Sequence, residues 1–189
     1  MSATDTRQRI LAIAADLFSR QGYTGTTIAD IARELGTTTA ALYYHFPSKA
    51  DILGGLLAEP LTAYNRIIES LDTDRPSPEE LLGAFIDLAV DARQMAGLID
   101  RDPAVLAMID ERLPRTSQQT TGQVIAVLAG PDADRSAIVR ANAALAVIKG
   151  ATMAALELNS GSLDPADRAE ILQLALSTLR APGRTSQDA

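Results

Sequence analysis

The residues able to do chemistry are few and unevenly placed. Histidine occurs once, at His45, and cysteine is absent. Thiolate metal sites, cysteine nucleophiles, a histidine-clustered zinc site and a histidine-based triad therefore lack their residues. No phosphate-cradling glycine loop and no nucleophile elbow occurs, and carboxylate pairs such as Asp110-Glu111 read as solvated surface. What remains is one short segment. Thr38, Thr39, Ala40 and Ala41 are small, and Tyr43, Tyr44, His45 and Lys49 follow closely. Small residues at the start of a helix let its end enter a DNA major groove. There, alanine and threonine methyls meet thymine methyls, and threonine hydroxyls donate or accept. Tyrosine hydroxyls, an imidazole and an ammonium suit phosphate oxygens.

Such a segment is useful only if other elements hold it. Ile10, Ala14, Leu17 and Phe18 recur at the spacing of an amphipathic helix, which Gly22 stops. Thr27 and Asp30 form a capping box for a second, short helix carrying Ile28, Ile31, Ala32 and Leu35. Gly36 supplies a turn tolerant of positive φ. Thr38 caps a third helix carrying Ala41, Leu42 and Phe46, and Pro47 stops it. Ser48 with Asp51 opens a longer helix to about Ser70, whose free N–H groups offer an anion site. Two short helices joined by a tight turn behind a supporting helix read as a helix-turn-helix. The DNA-contact candidates are Thr27, Thr38, Thr39, Ala40, Ala41, Tyr43, Tyr44, His45 and Lys49. His45 stands evenly between packing and phosphate contact, and Lys49 has a solvated lysine as its alternative. Arg7 is either a DNA-reaching arm or a free one.

The remainder repeats the same grammar. Ser77-Pro78-Glu79-Glu80, Asp102-Pro103 and Asp164-Pro165 are helix starts. The expectation is an all-α chain of about nine helices, three short ones by residue 46 and six longer ones after it. From about Asp134 to Leu158, Ala137, Ala141, Ala144, Ile148, Ala151 and Ala155 form a small-residue stripe. The last helix supplies Leu172, Ala175, Leu176 and Leu179. These two helices either make a four-helix bundle across a two-fold axis or pack inside one protomer.

Arg9-Ile10-Leu11, Ala14-Ala15, Leu17-Phe18, Gly22-Tyr23, Thr26-Thr27, Ile31-Ala32, Gly36, Leu42-Tyr43-Tyr44-His45-Phe46 and Ser48-Lys49 together resemble the N-terminal signature of the TetR family of bacterial transcriptional regulators. The resemblance covers about residues 7–53. Thr37 stands where the family usually has valine and Ala40 where it often has glycine, so operator preference does not carry over. The resemblance implies a DNA-binding head at 1–50, a helical ligand-binding and dimerisation domain at 51–181, and a flexible tail at 182–189. It implies a homodimer through the last two helices, a double-stranded operator, and release by a small-molecule effector. Effector contacts are sought among the bulky residues of the middle helices, each of which has a core role as its alternative: Tyr64, Phe85, Leu88, Met95, Leu98, Met108, Ile125, Leu128 and Met153. Asn142, Lys149 and Thr152 are polar within an apolar helix, and would orient a ligand, cross the dimer interface or face water. No cofactor, metal or catalytic residue is expected.

Charge fits a split molecule. The chain carries a net −7, which argues against DNA binding by bulk charge. Residues 1–50, however, hold five basic groups against four acids. Fifteen of the 17 basic residues are arginine and 33 residues are alanine, a bias toward helix. The expected location is the cytoplasm of a bacterium, with no targeting segment and no membrane partner. The competing classes are an all-helical enzyme and a helix-turn-helix protein without an effector.

Overall fold

Local capping chemistry sets where the helices begin. The computed structural model describes residues 3–73, 75–93 and 102–180. In it the Asp30 amide donates to the Thr27 hydroxyl at 3.1 Å, while the Thr27 amide donates to the Asp30 carboxylate at 3.0 Å. Ser77 and Glu80 close the same reciprocal box, and the Asp51 amide donates to the Ser48 hydroxyl. Asp102 and Asp164 accept from the amides of Ala104 and Ala166, each across a proline. Each box satisfies amides that a helix start leaves without partners.

The outcome is all-α. Among the described residues there are nine helices: α1 (Ala3–Gln21), α2 (Ile28–Leu35), α3 (Thr39–His45), α4 (Lys49–Thr73), α5 (Pro78–Asp91), α6 (Pro103–Asp110), α7 (Ser117–Ala129), α8 (Arg135–Leu158) and α9 (Pro165–Arg180). Two lengths differ from expectation. Helix α1 runs 19 residues, because the polar start is helix-compatible and Asp5 sits in its first turn, where the dipole favours an acid. Helix α6 is one of the shorter ones, at eight residues.

The chain forms two compact units, Met1–Thr62 with Ala92–Arg112, and Ala63–Asp91 with Leu113–Ala189. This division differs from one at residue 50, since the first part of α4 and all of α6 go with α1–α3. In the first unit Ile10, Ala14, Phe18, Ile31, Leu42, Phe46 and Ile52 are fully or almost fully buried. Gly55 permits the approach of α4. A Cβ there would meet Leu11 at 2.9 Å and the Phe46 ring at 3.3 Å. Asp102 ties α6 to the α1–α2 turn, accepting from both the amide and the hydroxyl of Thr24 at 3.1 Å.

The second unit packs Ile67, Leu81, Leu82, Ile86, Val124, Leu128, Ala141, Ala144, Ile148, Ile171, Ala175 and Leu176 into one core. Arg168 of α9 grips Asp87 of α5 through two hydrogen bonds of 2.8 Å, which raises the arginine's proton affinity further. The alanine stripe is thereby decided in favour of the protomer, with Ala141, Ala144 and Ile148 inside this core. By length and composition alone α8 is apolar enough to cross a membrane. Its Ala141–Leu156 side is buried in the second unit, and the core helix of a folded domain passes the same test. Met95, Leu98 and the tail at 182–189 lie outside the described residues.

Candidate nucleic-acid interface

Helix α3 has seven residues, too few to persist without tertiary support. Its start is fixed by the Thr38 hydroxyl, which accepts from the Ala41 amide at 3.2 Å. The turn before it needs Gly36, which sits at φ 72°. There the Thr37 amide reaches the Ala32 carbonyl at 2.9 Å. Leu42 and Phe46 anchor the inner side with no exposed surface. The outer side follows by periodicity. Thr38, Thr39, Ala40, Ala41, Tyr43 and Tyr44 are exposed, Tyr44 by 86%. Leaving so large a ring in water forgoes burial and is explained if another surface covers it. His45 is half-buried, its ring edge-on to Tyr44 at 5.3 Å. The arrangement presents small side chains at one end of a helix and phenols at the other.

Thr27, at the start of α2, is exposed, with its hydroxyl engaged by Asp30 at 2.6 Å. The hydrogen bonds from Thr27, first its hydroxyl and then its amide, and the Arg33 guanidinium hold the Asp30 carboxyl down at about 2.

Two cations lie where the sequence alone does not put them. Lys49 turns inward, its ammonium donating to the carbonyls of Tyr23 at 2.8 Å and Thr26 at 2.9 Å and standing 4.3 Å from the Tyr23 ring centroid. Both acceptors lie in the loop between α1 and α2, and one ammonium bonds them at once. Burial in the same place pushes the Tyr23 hydroxyl up. Arg7 is docked as well, donating to the His45 carbonyl at 3.1 Å. No sequence pattern marks either contact, since the partners are backbone carbonyls 23 to 38 residues away.

The effector candidates are dispersed. Phe85, Leu88 and Ile125 pack against the second unit's core, and Tyr64 and Met153 are half-buried. Met108 belongs to the first unit. Asn142 and Lys149 are exposed on α8, and the Asn142 amide donates to the Ile138 carbonyl. None of these lines the three solvent-open grooves described, the largest about 580 Å³ between Glu80, Asp87 and Arg168. Thr152 is fully buried, and its hydroxyl oxygen, like Asn65 Oδ1, has no hydrogen-bond partner. Among the described residues no group of three His, Asp or Glu is placed to hold a metal ion.

Known proteins share both the head and the fold. Residues 10–56 match the family described as bacterial regulatory proteins, tetR family. The transcriptional repressor KstR2 of Rhodococcus jostii is 34% identical over 119 residues, 61% of this chain and 58% of the relative. The transcriptional regulator AcrR of Shigella flexneri is 46% identical over 50 residues, 26% of this chain and 23% of the relative. The chain thus spans less than two thirds of the length of either. The solved structure of the ketosteroid transcriptional regulator KstR2 of Mycobacterium tuberculosis superposes with a TM-score of 0.57 over 93% of both chains at 21% identity, a likeness of fold. The chain thus carries, over residues 10–56, a helix-turn-helix head similar to that of the tetR family of bacterial regulatory proteins, on an all-helical fold shared with a solved transcriptional regulator.

Proposed function

We propose that the protein is a DNA-binding transcriptional repressor of a bacterial cytoplasm, not an enzyme, that binds a palindromic operator as a homodimer and leaves it when a small molecule binds. The observation that carries DNA binding is the exposed α3 face, Thr39 to Tyr44, set on the buried anchors Leu42 and Phe46. Base reading falls to Thr39, Ala40 and Ala41, and backbone contact to Thr27, Thr38, Tyr43, Tyr44 and His45. Dimerisation is supported by an exposed small-residue row on α8, Ala146, Gly150 and Ala154. Large exposed apolar groups flank it: Ile138 and Val139 on α8, Leu158 at its end, and Leu174 on α9. The buried, unpartnered Thr152 hydroxyl supports an effector with a polar end, because buried polar atoms are normally satisfied.

Selection of bound duplexes from random sequence tests this reading. An inverted repeat is expected, its half-sites about 34–36 Å apart or further by whole turns. Enrichment of no sequence, or of an asymmetric one, overturns it. A second reading, a regulator without an effector, is favoured by the packing of Phe85, Leu88 and Ile125 into the core. Differential affinity is what coupling requires, so the two part on whether any apolar or amphipathic compound weakens operator binding.

A further inference from the structure

The N-terminal end of α3 is closed by Thr38, but its C-terminal end depends on a residue from another helix. The chain leaves the helix at Phe46 in extended conformation, φ −141°, and the carbonyls of a last turn have no helical partner. One of them, His45 O, accepts from Nη1 of Arg7 at 3.1 Å. The same guanidinium stands 4.1 Å from the centroid of the Phe46 ring, a ring with no exposed surface. One side chain thereby meets an unfilled acceptor, the negative end of a helix and the face of an aromatic ring. Leu42 and Phe46 hold α3 by apolar burial, which is not directional. The Arg7 bond is directional, and its acceptor His45 directly follows the exposed Tyr43 and Tyr44 along the helix.

We propose that Arg7 is a positioning residue for DNA recognition. It fixes the C-terminal end of the recognition helix, and with it Tyr43 and Tyr44, and it is not a phosphate contact. The proposal rests on the DNA-binding reading of α3. Arg7 is itself exposed, and a methionine in its place keeps an aliphatic stem to cover the Phe46 ring.

The test compares wild type, Arg7→Met, which keeps an aliphatic stem without a donor, and Arg7→Lys, which keeps a donor and a charge. The probes are a duplex selected by the wild-type protein from random sequence and a shuffled duplex of equal length, titrated at several salt concentrations. Arg7→Met is expected to bind the selected duplex roughly tenfold more weakly, with an unchanged salt slope and unchanged affinity for the shuffled duplex. Arg7→Lys restores most of the loss. A salt slope smaller by about one per protomer on both duplexes means direct phosphate contact and overturns the proposal, as does unchanged affinity for the selected duplex. A second measurement needs no DNA. Hydrogen exchange across residues 39–47 should quicken in Arg7→Met and recover in Arg7→Lys, while residues 28–35 stay as they were. Unchanged exchange at 39–47 overturns the hold on α3 even if DNA binding changes. Quickened exchange in a protein that enriches no duplex overturns the DNA-binding reading, and the role in recognition with it.

Discussion

Leu42, Tyr43 and Tyr44 are chain neighbours with opposite burdens. Leu42 has no exposed surface, whereas Tyr43 is 51% and Tyr44 86% exposed. Leu42→Ala is expected to cost about 2–5 kcal/mol in denaturant unfolding. Tyr44→Ala should stay within about 0.5 kcal/mol of wild type yet weaken binding to a selected duplex. Loss of folding in the tyrosine variant would make the ring structural after all. Lys49 reverses an expectation drawn from its place at a helix start, where it suits a phosphate. Its two hydrogen bonds go to Tyr23 and Thr26, so Lys49→Met should lose about 1.5–3 kcal/mol of stability before any DNA is added. Residue types alone do not separate these roles, because an exposed and an inward-turned lysine have the same local sequence.

Helix starts are the elements most legible in the chain, since a capping box needs only residues three apart. Those at Thr27 and Ser77 form as read, Ser48 receives the Asp51 amide, and Thr116 with Gln119 adds another that the same signature would have found. The box at α2 carries a pH signature. The Asp30 carboxyl is held at about 2 against an ordinary 3.8, chiefly by the Thr27 hydroxyl. A carboxylate whose folded value is depressed adds stability above its unfolded value and loses it as pH falls through the folded one. The stability difference between wild type and Asp30→Asn is therefore expected to be full above about pH 4 and to vanish as pH falls toward 2. Parallel denaturant curves across that range check it, and a difference that persists at pH 2 would assign the box to its backbone geometry instead. By contrast, the bond from Thr24 to Asp102 spans 78 residues. No periodicity signals it, which is why α6 joins the head's unit unannounced.

At the scale of the molecule, the alanine stripe of α8 divides the proposed dimer from the protomer's own core. Ala144 has no exposed surface and sits among Ile86, Val124 and Ala175 in the second unit's core cluster. Ala144→Glu should therefore unfold that unit, because an unpaired charge in a core is costly. Ala146, two residues on, is exposed. Ala146→Glu should leave the circular dichroism and unfolding midpoint of the protomer unchanged and sediment as a monomer where the proposed dimer forms in wild type. A folded wild-type monomer at micromolar concentration would remove the dimer from the reading.

What is local was legible along the chain. Helical periodicity, capping residues, the αL glycine at Gly36 and the small-then-phenolic order of α3 all act within a few residues, so their energetics are written in the chain order. That was enough for the all-α fold, the helix-turn-helix head and the face of α3 left in water. Which partner each face and each cation takes depended on packing across the fold. The alanine stripe was apolar in either reading, and Ala141, Ala144 and Ile148 are buried in the second unit's core. Arg7 and Lys49 were cations in any reading, and backbone carbonyls at the end of α3 and in the α1–α2 loop claimed them. The physical reason is common to both. Burial and hydrogen bonding are satisfied by whichever groups the fold brings near, and nearness across tens of residues is a property of packing, not of spacing along the chain.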